Sequence, residues 1–152
     1  MIWIYVLLFL ITILFCEIVS YLFHRYLFHK TVISPSIREE HRIHHQSNDN
    51  AVHDYLVMLL VMLCVSLLLL VLLPYYPTIV LYILLLTVVY FAINWYIHCS
   101  YHNENNFLHD YKPFQYLYNF HMQHHSNPQC NYGIVTPLAD YLFATYQSPG
   151  KE

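Results

Sequence analysis

Charge is what this chain has least of: only 10% of its 152 residues are Asp, Glu, Lys or Arg, where soluble domains carry about a quarter. Glycine is almost missing, with two residues, and no repeat of 20 to 50 residues and no low-complexity tract beyond a leucine-rich stretch is visible. So little charge excludes a disordered chain, a nucleic-acid binder and a conventional water-soluble enzyme. The net charge of −3 rests on nine acids and six bases, too few for a strong field. Four cysteines, Cys16, Cys64, Cys99 and Cys130, are too scattered for a zinc-finger pairing or a disulfide framework, and no role is assigned to them.

What is abundant is apolar, at 58% of the residues. A helix needs about 20 apolar residues to cross the hydrocarbon layer, and three runs qualify: 2–23, with Glu17 as its one acid, 55–73 and 78–97. The first lacks a basic leader and a small-residue cleavage site, and it runs straight into histidines, so it reads as an anchor rather than a signal peptide. Pro74-Tyr75-Tyr76-Pro77 between the other two predicts a tight hairpin with tyrosines at the interface. Arg25, Lys30, Arg38, Arg42, Lys112 and Lys151 all fall after the first run or after the third. The positive-inside bias makes that side cytoplasmic. The expected fold is all-α: one domain over 1–152, an integral, multi-pass membrane bundle with about three transmembrane helices. A cytoplasmic, histidine-rich cap (24–54 and 98–152) would hold a di-metal site.

All twelve histidines fall on that one side. Ten form four groups: His24 and His29; His41, His44 and His45; His98 and His102; His121, His124 and His125. His53 and His109 stand outside and read as solvated or hydrogen-bonded bystanders. At 100° per residue, positions i, i+3 and i+4 share one side of a helix while the last two diverge like a fork, so one HX2HH helix can serve two adjacent metals. His98 and His102, at i and i+4, have the spacing with which a helix grips a single ion. His24 and His29, at i and i+5, are about 140° apart on a continuous α-helix, and serve different metals unless the helix ends between them. Ten imidazoles are too many for one ion and favour a two-metal centre over a pH-sensing patch. A structural zinc site would recruit cysteine. Histidine without a carboxylate box favours two Fe ions that activate O2, with Zn a possible substitute in a purified sample, because a redox metal explains a site beside lipid.

The order HX4H, HX2HH, hairpin, HX3H, HX2HH resembles the fatty acid hydroxylase superfamily, also called the sterol desaturase family, from about His24 to Tyr146. Asn131-Tyr132-Gly133, Asp140 and Phe143-Ala144-Thr145 resemble its closing elements, with Ala144 where a glycine is usual. The resemblance implies a membrane enzyme whose ten boxed histidines bind two irons. It would use O2 and electrons from a separate donor, a b-type cytochrome or reductase, to hydroxylate an alkyl C–H bond of a fatty acyl, ceramide or sterol lipid. In a eukaryotic host it would sit in the endoplasmic reticulum membrane. A carotenoid hydroxylase or lipid desaturase is the alternative within the same chemistry, and a membrane metal carrier the alternative outside it.

Three further positions carry expectations. Asn94, His98 and His102 descend one helix side at i+4 steps, so Asn94 either orients a ligand or bonds another helix. Glu17, the one ionisable residue inside a span, shares a face with His24 about 10 Å deeper. It either lines the substrate pocket or bonds a neighbouring helix as a neutral acid. Asp140 is expected to orient a turn or a histidine. Arg25, Arg38 and Arg42 flank the boxes, either to meet lipid phosphates or to fix orientation alone.

Overall fold

The computed structural model describes residues 2–30, 34–47 and 52–150; the side chains of 52–55, 57 and 61, and with them His53, lie outside that description. Helices joined by turns and irregular loops make up the described residues, with no strand among them. Helix α1 (Ile2–Leu22) runs without Gly or Pro and continues into a π-helical turn, Phe23–Phe28. Helix α2 (Pro35–Ser47) carries the second histidine group. Helix α3 (Val52–Leu70) turns at 71–76 into α4 (Pro77–Tyr101). Pro77 opens α4 at a position where its missing N–H costs nothing. A 3-10 turn (Phe107–Asp110), α5 (Lys112–Ser126) and the short α6 (Leu138–Leu142) complete the chain.

The polarity of the helices is inverted relative to a water-soluble bundle. Large apolar side chains face outward along α1 (Leu7, Leu10, Phe15), α3 (Leu60, Leu68) and α4 (Leu81, Leu85), while Thr12, Glu17, Ser20, Thr87 and Asn94 are buried. Lipid tails make that outer surface inexpensive, and polar groups in a bilayer must find partners inside the protein. Asn94 donates to Ser20 Oγ at 3.1 Å, joining α4 to α1. Cys16, Tyr90 and Phe91 form the buried contact between the same two helices, flanked by Met58 and Met62 of α3.

Among the described residues two helical stretches are long and apolar enough to cross a membrane, Ile2–Phe28 and Pro77–Tyr101. Both run past the ends of the sequence runs 2–23 and 78–97, because each continues past its first histidine, His24 or His98, and stops just before its second. In α3 the apolar stretch among the described residues is Met58–Leu70. None of the four cysteines takes part in a disulfide.

Candidate metal centre

The ten boxed histidines converge at one end of α1 and α4, where α2 and α5 lie over them. They separate into two groups of five, His24, His29, His41, His45 and His124, and His44, His98, His102, His121 and His125. Within each group the available side-chain nitrogens all lie within 4.8 Å of one another. The division follows helical arithmetic. His41 and His45, at i and i+4, face the first group and His44 the second, whereas in α5 His121 and His125 face the second and His124 the first. Both HX2HH helices thus serve both groups, and the stacked rings of His45 and His125, 4.2 Å apart, join them.

His24 and His29 fall in the same group, against the expectation for a regular helix. The π-helical turn Phe23–Phe28 is the reason. Its wider winding carries residue i+5 round to the side of residue i. His102 follows immediately as the cap of α4, one turn beyond His98.

Tautomers can be assigned at two rings. His24 Nδ1 lies 2.7 Å from the Tyr132 carbonyl and His124 Nδ1 2.6 Å from the Cys130 carbonyl. A carbonyl only accepts, so each Nδ1 carries the hydrogen and each Nε2 presents a lone pair. Those two Nε2 atoms lie against other ring nitrogens, His24 Nε2 3.2 Å from His41 Nε2 and His124 Nε2 2.9 Å from His29 Nε2, and His41 Nε2 in turn is 3.0 and 3.1 Å from His29 and His45 Nε2. In the second group His121 Nε2 is 3.2 Å from His102 Nε2 and 3.1 Å from His125 Nε2. Nitrogens bound to one metal at about 2.1 Å and at right angles lie about 3.0 Å apart, so the donor set fits an ion in each group.

Charge state agrees with this. Burial, and then repulsion from neighbouring imidazoles, lowers His29 to about 2 and His45 to about 4, and holds His41, His121, His124 and His125 well below the usual imidazole range. At neutral pH these rings are uncharged, the form that ligates metal.

The residues after α5 buttress the centre. Fully buried Asp140 accepts from the backbone N–H of Tyr132 and Gly133 at 2.8 and 2.7 Å and from Thr145 Oγ1 at 2.7 Å. Burial pushes its carboxyl above the usual range while those three donors pull it down. Asp140 therefore fixes the turn whose Tyr132 carbonyl orients His24. Tyr101, stacked on His121, donates to the Ile134 carbonyl at 2.7 Å. A Cβ on Gly133 would stand 2.3 Å from the Thr136 carbonyl oxygen, so only glycine fits there.

Between α1, α3 and α4, directly against the histidines, lies an apolar cavity of about 540 Å³. His24, His41 and His98 form its polar end, with Phe28, Phe91 and Met62 among its apolar walls. Ser20 and Asn94, each one turn below a boxed histidine, also line it. Sequence reading reached Asn94 but not Ser20, although Ser20 stands four residues before His24 as Asn94 does before His98. The carbonyl partners of His24 and His124 left no signal, because any residue type supplies a carbonyl.

Other expected positions lie elsewhere. Glu17 is buried beside Thr136 and Tyr90, its Oε1 lacks a hydrogen-bond partner, and it is not among the cavity's described lining residues. His109 joins neither group; its Nε2 bonds the Ser100 carbonyl at 3.1 Å and its ring meets Phe114 and Tyr118 edge-on.

No curated protein and no solved structure matches the chain. Its sequence does match the fatty acid hydroxylase family over residues 9–145, which takes in the first membrane-length helix from residue 9 onward, all of the second, all four histidine groups and the Asp140 turn. The chain belongs to the fatty acid hydroxylase family.

Proposed function

We propose that this protein is an O2-dependent di-iron monooxygenase that hydroxylates an alkyl C–H bond of a membrane lipid. The observation that carries the reading is the contact between the two histidine groups and the apolar cavity: His24 and His41 of one group and His98 of the other form the cavity wall. The five histidines of each group would hold one iron. When bound, the iron pair would supply the redox chemistry by which O2, two donor electrons and two protons from solvent convert an alkyl group to an alcohol, with the second oxygen leaving as water.

The chain's own residues do the rest. Phe28, Phe91 and Met62 give an alkyl chain a dry enclosure in which water is excluded. The Asn94–Ser20 hydrogen bond braces the wall one turn below the histidines. Asp140, through the Tyr132 carbonyl, keeps His24 in the tautomer that offers Nε2. The reading places the histidine end in the cytoplasm, with α3 as a third crossing and the electron donor as a separate protein. A metal carrier would instead arrange ligands along a path at mid-membrane.

The test compares total lipid from cells making the wild type or His98→Ala, by mass spectrometry. A lipid gaining one oxygen only with the wild type supports the proposal. Loss of two hydrogens instead would make the protein a desaturase. Fewer than two ions per purified chain would require another mechanism.

A further inference from the structure

A second cavity, also about 540 Å³, opens on the polar side of the first histidine group. Its character is opposite to that of the apolar cavity. Arg25, Lys30, Arg38 and Arg42 line it, four of the six Lys and Arg residues in the whole chain. No Asp or Glu is among its described lining residues. Glu39 pairs with Arg42, accepting from its Nε at 2.8 Å. Arg25, Lys30 and Arg38 make no ion pair among those described; Asp140 and Glu39 act on Arg25 and Arg38 only at longer range and leave the four cations in excess.

Arg25 is held in place rather than left to solvent. It donates to Tyr21 Oη at 2.6 Å, and its guanidinium stands 5.3 to 5.8 Å from the ring centres of Tyr21, Tyr26 and Tyr132. Its Nε is buried with no acceptor. Lys30 rests over Tyr26 at 4.9 Å. Fixing cations from the end of α1 and from α2 around one hollow is unfavourable unless an anion neutralises them. Guanidinium forks suit oxygen-rich anions, phosphate above all.

Position identifies the source of that anion. Arg25 and Lys30 bracket Phe28, the last residue of the membrane-length stretch Ile2–Phe28, so the cavity lies where the hydrocarbon gives way to lipid phosphates. Phe28 also lines the apolar cavity, which makes the two hollows neighbours across one side chain. A concave pocket with room beyond a phosphate suits a glycerophosphate headgroup better than the broad surface of an acidic protein. We infer that the basic cavity formed by Arg25, Lys30, Arg38 and Arg42 is a phosphate-binding site for an anionic phospholipid headgroup at the membrane surface.

The test reads binding and is independent of turnover. Metal-loaded protein in neutral detergent is titrated calorimetrically with dihexanoyl phosphatidic acid, dihexanoyl phosphatidylcholine and inorganic phosphate. Phosphatidic acid should bind most tightly. The exposed pair Lys30→Gln and Arg38→Gln together should weaken it about tenfold or more, the effect of losing charge-assisted hydrogen bonds, with metal content unchanged. Inorganic phosphate binding as tightly as phosphatidic acid would support the phosphate site with free phosphate as its source. Equal binding of phosphatidic acid and phosphatidylcholine, or unchanged binding by the double variant, would overturn the site. Polyglutamate displacing phosphatidic acid at lower concentration would overturn the lipid assignment in favour of an acidic protein. As a second variant, Arg38→Glu reverses one charge and should abolish binding while keeping both metals.

Discussion

His24 and Tyr132, 108 residues apart in sequence, are joined by a 2.7 Å hydrogen bond from the imidazole Nδ1 to the backbone carbonyl. It fixes which nitrogen of His24 faces the other rings. The Tyr132 carbonyl is fixed in turn because the adjacent N–H groups of Tyr132 and Gly133 are both held by Asp140. A single carboxylate thus reaches a ring nitrogen through one peptide unit.

Asp140→Asn should separate that positioning role from gross structure. The amide keeps one acceptor but turns N–H groups toward the Gly133 N–H, which loses its partner at a cost of about 1–3 kcal/mol. We expect metal affinity at the His24 group to fall about 10- to 100-fold, while the His98 group stays nearly unchanged. Chelator competition with metal analysis reads the two sites; equal loss at both would point to general misfolding.

His41→Ala and His98→Ala should each leave one ion per chain rather than none. His41 belongs to the first group and His98 to the second, and neither ring is shared. Both variants should lose turnover, because the proposed chemistry needs the pair. Retention of two ions in either variant would contradict the five-and-five division.

The histidine boxes were legible in the sequence because HX2HH and HX3H are statements of helical geometry, and α2, α4 and α5 are helices. The i+5 pair was not. Whether a segment winds as α or π is settled by what it packs against, and here both imidazoles are drawn to one group. Glu17 stood out as an acid in an apolar run, but its neighbours Tyr90 and Thr136 come from distant segments that no local pattern links to it. The basic cavity was visible only as scattered arginines, since it exists where the end of α1 meets α2. Two membrane-length helices agree with the apolar runs 2–23 and 78–97, and α3 covers most of the run 55–73.

Ala144→Gly should stabilise the fold. Ala144 has φ of 54°, a left-handed conformation that costs an L-residue about 1–2 kcal/mol. The strained bend returns Thr145 Oγ1 to Asp140 and to Tyr21 Oη, so it is retained despite that cost. Glycine removes the strain but gives the unfolded chain about 0.5–1 kcal/mol more entropy. The net gain is about 0.5–1 kcal/mol, or a Tm roughly 2 °C higher. A lower Tm would show that the methyl group packs usefully.

Acid should weaken the protein from just below neutrality. His29 and His45 titrate near 2 and 4 in the fold but near 6.5 when unfolded. Above pH 6.5 neither state binds protons at these rings, and stability does not change with pH on their account. Below it the unfolded chain takes up protons that the folded chain refuses. Stability therefore falls as pH falls, by up to about 1.4 kcal/mol per pH unit for each such ring, until the folded pKa is reached. Protons also compete with metal for the same nitrogens. The Tm of metal-free protein should be level between pH 7 and 8 and drop steeply from 6.5 toward 5, with the metal-loaded protein displaced upward and releasing its ions over the same interval. A metal-free Tm that holds constant down to pH 5 would mean the rings are already protonated in the fold, and the neutral, lone-pair-rich centre would have to be abandoned.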